Sequence, residues 1–156
     1  MNTDKSYKYI EYGYIYKIYS TINNNIYIGK TTYNIEYRLN KHMKDKDSVV
    51  YKYFKSLHYC KLVKIEAIEK IDMNEDISYL LDKEYNIKNK VFNKFMYSLE
   101  DKRRLIKDLS KIKLSKIEQY YIYKYSKDSN YNLINRLIHK NNELENIYLF
   151  LTNTNK

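Results

Sequence analysis

The sequence predicts an α+β fold: a small three-stranded antiparallel sheet flanked by helices, followed by a C-terminal helical extension. Three observations predict it. Two short Tyr/Ile runs, "GYIYKIYS" (13–20) and "IYIGK" (26–30), are separated by "NNN", a turn signal between residues that suit strands. An alternating stretch, "KLVKIEAIEKI" (61–71), supplies a third strand. Between and after these runs, polar caps precede stretches with helical periodicity.

Each element has a local reason. Asn34 is placed to cap a helix over 35–44, and Ser48 opens one over 48–57. Asn74 is placed to cap a helix over 75–89, where Ile77, Leu80, Leu81 and Ile87 form an apolar stripe. Ser98 with Asp101, and Ser115 with Glu118, resemble two successive capping boxes. "NLINRLIHK" and "LENIYLFL" read as further amphipathic helices. These patterns divide the chain into a core over 1–93 and a basic helical extension over 94–156, suited to contacting DNA or to oligomerising. The span 115–140 also fits two helices around a turn, although a helical add-on that packs on the core or mediates dimers is the better reading of it.

The chain of 156 residues carries a formal net charge of +10, with a pI near 9.3. That balance points to a polyanionic partner such as nucleic acid. Residues 1–93 hold 16 basic and 12 acidic side chains, and the rest hold 13 and 7, so positive charge is denser in the extension. Composition supplies a plain rival explanation. Tyr (21), Lys, Asn and Ile are abundant, while Pro and Trp are absent, the signature of an A/T-rich gene. The tyrosine count is therefore weak evidence for base stacking. The same bias sharpens the two glycines, Gly13 and Gly29, which survive against it.

Cys60 is the single cysteine, so no intrachain disulfide forms, as suits an intracellular setting, cytoplasmic or nuclear. The opening residues show no signal-peptide run, and no window approaches the ~20 apolar residues of a membrane span. His58 and Cys60 are too few to make a zinc site.

Candidates for phosphodiester chemistry lie in the first part of the chain. Tyr16 and Tyr27 fall on neighbouring strands. Arg38 and His42 are spaced i, i+4 and share a helix face. Glu84 sits at the edge of the later apolar stripe. Each of these has an ordinary structural explanation on its own, and the signal lies in the ordered set.

That set, G-Y-I-Y (13–16), then Y-I-G-K-T (27–31), then Arg38 and His42, resembles the GIY-YIG nuclease family. The resemblance covers roughly residues 1–93. It implies a metal-dependent endonuclease acting on DNA, of homing, restriction or viral type, with Mg²⁺ or Mn²⁺ as cofactor. Tyr16 or Tyr27 would take a proton from the attacking water, with Lys30 and the metal lowering its pKa. Arg38 would hold the phosphate, and His42 would bond the phosphate or support a tyrosine. Glu84 would bind the cation, with Glu75 the alternative. Gly29 would let the backbone approach closely. Lys30 and Asn93 would contact substrate; beyond the span of the resemblance, Arg103, Arg104, Lys107 and Lys111 form, by their charge alone, a basic stripe suited to contacting phosphates. Two departures stand out. The first motif carries an extra residue. The bulky W-I or L-I pair that often stands at the third and fourth positions after the family's glutamate is Ile87–Lys88 after Glu84. A nucleic-acid-binding module that keeps the fold without cleavage is the alternative, and a homo-oligomer is left open.

Overall fold

Asparagine and serine side chains close the first hairpin. Asn23 Oδ1 accepts the Asn25 amide at 3.0 Å and Ser20 Oγ accepts that of Ile22 at 3.2 Å. They turn β1 (Tyr12–Ser20) into β2 (Asn25–Thr31) without a glycine. The protein is described here from a computed structural model covering residues 12–73, 99–138 and 143–153, with side chains for 12–73, 107–138 and 143–152. The hairpin is antiparallel, and its register sets Tyr16 opposite Gly29 and Ile18 opposite Tyr27.

Two capped helices follow. Asn34 Oδ1 accepts the amides of Glu36 (2.8 Å) and Tyr37 (3.4 Å) and starts α1 (Ile35–Lys44). Ser48 Oγ accepts Val50 N–H at 3.2 Å and starts α2 (Val49–Tyr59). Both caps are where the sequence puts them, because a cap is decided by residues within one turn. Lys61 then takes a left-handed φ of 58°, with its amide and that of Leu62 bonded to the carbonyls of His58 and Leu57. Glycine usually ends a helix in this way. The chain then enters β3 (Val63–Asp72), which pairs with β1 and shifts register between Ile15 and Tyr16.

The remainder departs from expectation in three places. One helix, α3 (Leu99–Lys127), replaces the two helices that the serines at 98 and 115 suggested. No proline or glycine interrupts this stretch. Leu109, Leu114, Ile117, Tyr121 and Ile122 give it a continuous buried stripe, and Ser115 is held by Lys30 rather than by a helix end. Residues 132–138 are not helical. They open with a two-residue strand, β4 (Asn132–Leu133), parallel to β2, so no second helix follows the turn and the helix-turn-helix pattern fails here. The sheet is therefore mixed and four-stranded, in the order β3-β1-β2-β4, rather than three-stranded and antiparallel. α4 (Leu144–Asn153) forms where "LENIYLFL" predicts it.

The sheet is covered on both faces. On one, Ile15, Ile26 and Ile28 meet α3 and α4 in one cluster. On the other, Tyr16, Ile18 and Ile65 meet Leu39 of α1 and Val50 and Phe54 of α2. Each fully buried isoleucine contributes roughly 1.5–3 kcal/mol relative to exposure. Residues beyond 98, set apart by sequence as an extension, thus supply more than half of one core cluster and a strand of the sheet. The helix expected over 75–89 lies outside the described residues.

Candidate active site

β2 has an outer edge that a three-stranded sheet would leave open, and three different groups close it. At its start the β4 backbone does so, with Ile134 N–H donating to Ile26 O at 2.9 Å. At the middle, the Asn135 side chain imitates a strand: its Oδ1 accepts Ile28 N–H at 3.0 Å and its Nδ2 donates to Ile28 O at 2.7 Å. At the end, the Glu118 carboxylate accepts a hydrogen bond from the Lys30 backbone and faces the Lys30 ammonium. Satisfying an edge this way places a carboxylate at the rim of the tyrosine face. The Lys30 ammonium also donates to Ser115 Oγ, one turn before Glu118 on α3.

The tyrosine face forms the floor. Tyr16 is fully buried, and its hydroxyl lies 2.9 Å from His42 Nε2. The other ring nitrogen of His42, Nδ1, is 3.0 Å from Ser48 Oγ, the same oxygen that caps α2. A phenol donates more readily than it accepts, which favours Tyr16 O–H donating to Nε2 and Nδ1–H donating to Ser48. Tyr27 packs edge-on to His42, ring centroids 5.2 Å apart. Gly29 exists for this packing. A Cβ on it would stand 2.4 Å from Cζ and Oη of Tyr16, closer than any side chain allows. Gly13 is on the opposite face, where a Cβ would meet Leu114 Cδ1 at 2.9 Å.

Burial and charge set the protonation states. Burial raises the Tyr16 pKa above the ordinary phenol value; Tyr27 adds to this and Arg38 opposes it. Tyr27 is raised by burial and by Glu118, and Arg38 again opposes. His42 is pushed down to about 4 by burial and by Arg38, against Asp45, so it is a neutral imidazole at pH 7. Glu118 is raised by burial, while Lys30 and Arg38 pull it back. Arg38 is thus the charge common to all four groups.

These residues open onto one cavity of about 850 Å³, with Tyr27, Arg38, Lys41, His42, Glu118 and Arg136 among its lining. Tyr16 lies behind the wall. Of the residues expected from sequence, the structure gathers Tyr16, Tyr27, Gly29, Arg38 and His42, with Lys30 alongside. Glu84, Glu75 and Asn93 lie outside the described residues. Arg103 and Arg104 fall in the first turns of α3, in the part whose side chains are not described. Sequence reasoning missed Glu118, Asn135 and Ser48 as parts of this place. For Glu118 the sequence held only a partial signal: a Tyr121–Ile122 pair stands at the third and fourth positions after it, neither W-I nor L-I, and Glu118 lies beyond the span that the resemblance covers.

The donor set bears on a metal. Among the described residues no group of three or more His, Cys, Asp or Glu side chains could hold an ion. A single carboxylate in a cavity it shares with an arginine has the chemistry of a ligand that a hard cation such as Mg²⁺ or Mn²⁺ takes, with the other ligands coming from substrate oxygens and waters. No helix among the described residues is long and apolar enough to cross a membrane.

No curated protein and no solved structure matches the chain. The family model of the GIY-YIG catalytic domain matches residues 12–97, more than half of the chain and the span that holds both tyrosines, both glycines, Arg38 and His42. The four-stranded α+β architecture agrees with that fold, and the chain belongs to the GIY-YIG nuclease family.

Proposed function

We propose that this nuclease is a divalent-cation-dependent endonuclease that hydrolyses phosphodiester bonds in DNA at the cavity between α1 and α3. The observation that carries the reading is the meeting of Tyr27, Arg38 and Glu118 around one cavity. The net charge of +10 favours a polyanionic substrate.

Each side chain has a task that suits its chemistry. The Arg38 guanidinium binds the non-bridging oxygens of the scissile phosphate and stabilises the charge that grows there. Tyr27, which lines the cavity, holds the attacking water and takes its proton; Arg38 is the neighbour that favours the phenolate. Tyr16, buried and bonded to His42, positions Gly29 and the Tyr27 wall rather than touching the water. Glu118, with Glu84 as the rival from family resemblance, would hold the cation. When bound, that cation supplies positive charge at the phosphate and the departing oxygen.

The test is nicking of supercoiled plasmid with Mg²⁺ or Mn²⁺, with EDTA as control. Arg38→Ala and Glu118→Gln should each lower the rate by roughly 10²–10³-fold, with folding intact by circular dichroism. Raising the Mn²⁺ concentration should partly rescue Glu118→Gln but not Arg38→Ala. Full activity in Glu118→Gln with loss in Glu84→Gln returns the cation to Glu84. No metal-dependent nicking by the wild type, with salt-sensitive DNA binding, means a binding module.

A further inference from the structure

Tyrosines in this chain are so common that most need no explanation beyond packing. Several exposed ones are already engaged. Tyr12 lies under the Lys70 ammonium, 3.8 Å from its ring centre, and Tyr131 packs on Tyr125 with centroids 5.2 Å apart. Tyr33 and Tyr37 make both kinds of contact while standing more exposed than either. They are 66% and 49% exposed, and their rings pack on each other at 5.7 Å. Burying an aromatic ring is favourable, so two rings held together in solvent call for a reason.

Their position is fixed by the backbone. Tyr33 N–H donates to Thr31 Oγ1 at 3.0 Å, just past the Lys30 that meets Glu118. Asn34, between the two tyrosines, caps α1 and accepts the Tyr37 amide. On α1, Tyr37 and Lys41 form one i, i+4 row and Arg38 and His42 form the next. The second row lines the cavity. Lys41 belongs to both settings, lining the cavity while its ammonium stands 5.8 Å from the Tyr37 ring centre. An aromatic pair with a cation at its edge therefore shares Lys41 with the cavity lining and stands one side-chain row from the arginine assigned to the phosphate.

Resting on the nuclease reading, we infer that Tyr33 and Tyr37 form a stacking site for an unpaired nucleobase of the substrate strand, beside the scissile phosphate. Two π-faces and a cation suit a base and the adjoining phosphate, and stacking of this kind accepts any base. A base in a continuous duplex has both faces covered, so this site favours a strand with an unstacked nucleotide there, as at a flap, bulge, gap or single-stranded end.

The experiment measures binding rather than cleavage. The full chain is titrated, in EDTA, with a fluorescein-labelled single-stranded oligodeoxynucleotide, with the same strand in a blunt duplex, and with an abasic version of the single strand. Wild type should bind the abasic strand more weakly than the parent strand. Tyr33→Ala/Tyr37→Ala should weaken single-strand binding by roughly 5- to 100-fold and leave blunt-duplex binding unchanged. It should also leave the dependence of log affinity on log salt unchanged, since no charge is removed. Tyr33→Phe/Tyr37→Phe should retain wild-type affinity. Equal binding of abasic and parent strands by the wild type overturns the inference without recourse to any variant. So does a folded double-alanine protein with undiminished single-strand binding. A protein that shows base-dependent binding but no Mg²⁺-dependent nicking refutes the nuclease reading and leaves the stacking site standing.

Discussion

The two faces of the β1–β2 hairpin are buried by different means. On the α3 side, Ile15, Ile26 and Ile28 pack as hydrocarbon against Leu109, Leu114 and Ile117. On the α1 side, the fully buried Tyr16 and the half-buried Tyr27 carry polar atoms into the interior. The isoleucine face asks only for volume and is tolerant of conservative exchange. The tyrosine face must also satisfy its hydroxyls, because a buried polar group without a partner costs ~1–3 kcal/mol. His42 and Ser48 meet that demand for Tyr16. The same strands thus give a scaffold on one side and a chemically specified surface on the other, and the specified surface is the one that opens to the cavity.

The largest effect should come from dividing the tyrosine face itself. Tyr27 lines the cavity and Tyr16 does not. Removing the Tyr27 hydroxyl should lower the nicking rate by roughly 10²–10⁴-fold, the span of a general acid–base contribution, with little change in stability. Tyr16→Phe leaves His42 Nε2 without its partner. It should destabilise by ~1–3 kcal/mol and reduce the rate less than Tyr27→Phe does. Single-turnover nicking and urea denaturation of the two variants decide the matter. A greater rate loss in Tyr16→Phe would exchange the two roles.

A smaller effect, on stability alone, follows from His42. Its folded-state pKa of about 4 lies below the unfolded value of about 6.5. Between these values the unfolded chain binds more protons, so stability rises with pH. The contribution is complete above about pH 6.5 and is lost as pH falls towards 4. Urea midpoints at intervals from pH 4 to 7 should fall more steeply on acidification for the wild type than for His42→Gln. Parallel curves would mean that His42 is not held neutral by its surroundings.

What could be read in the sequence divides along the same line as local against distant causes. Asn34, Ser48, the hairpin turn and the shared face of Arg38 and His42 are settled within a few residues, and the structure keeps them. Ser115 and Glu118 have the spacing of a capping box, so local reasoning places a helix start there. Only Lys30, 85 residues earlier, shows that Ser115 is mid-helix and that Glu118 closes the β2 edge. Asn135 is likewise unreadable locally, because its partner Ile28 is 107 residues away. The helical pattern of "NLINRLIHK" lost to that bond and to the backbone pairing of β4. The glycines were legible as anomalies, but what each avoids required the register.

The last contrast sets those two glycines against each other, one per face. A methyl group on Gly29 falls 2.4 Å from the ring of Tyr16, and that ring has neither solvent to retreat into nor freedom from its bond to His42. Gly29→Ala should therefore cost ~1–3 kcal/mol, the range of overpacking a close-fitting core, and it should reduce nicking as well by displacing Tyr16 and the neighbouring Tyr27. A methyl on Gly13 meets the end of Leu114 at 2.9 Å and Met73 Sδ at 3.1 Å. Those are tips of flexible side chains among hydrocarbon, and replacing a strand glycine recovers ~0.5–1 kcal/mol of backbone entropy. Gly13→Ala should accordingly sit within about 1 kcal/mol of wild type and keep its nicking rate. Thermal and urea unfolding of the pair measure the difference. Equal losses would mean that the tyrosine face is no more exacting than the isoleucine face. The expected inequality would show that the second glycine is required by a particular buried ring, and the first only by close packing.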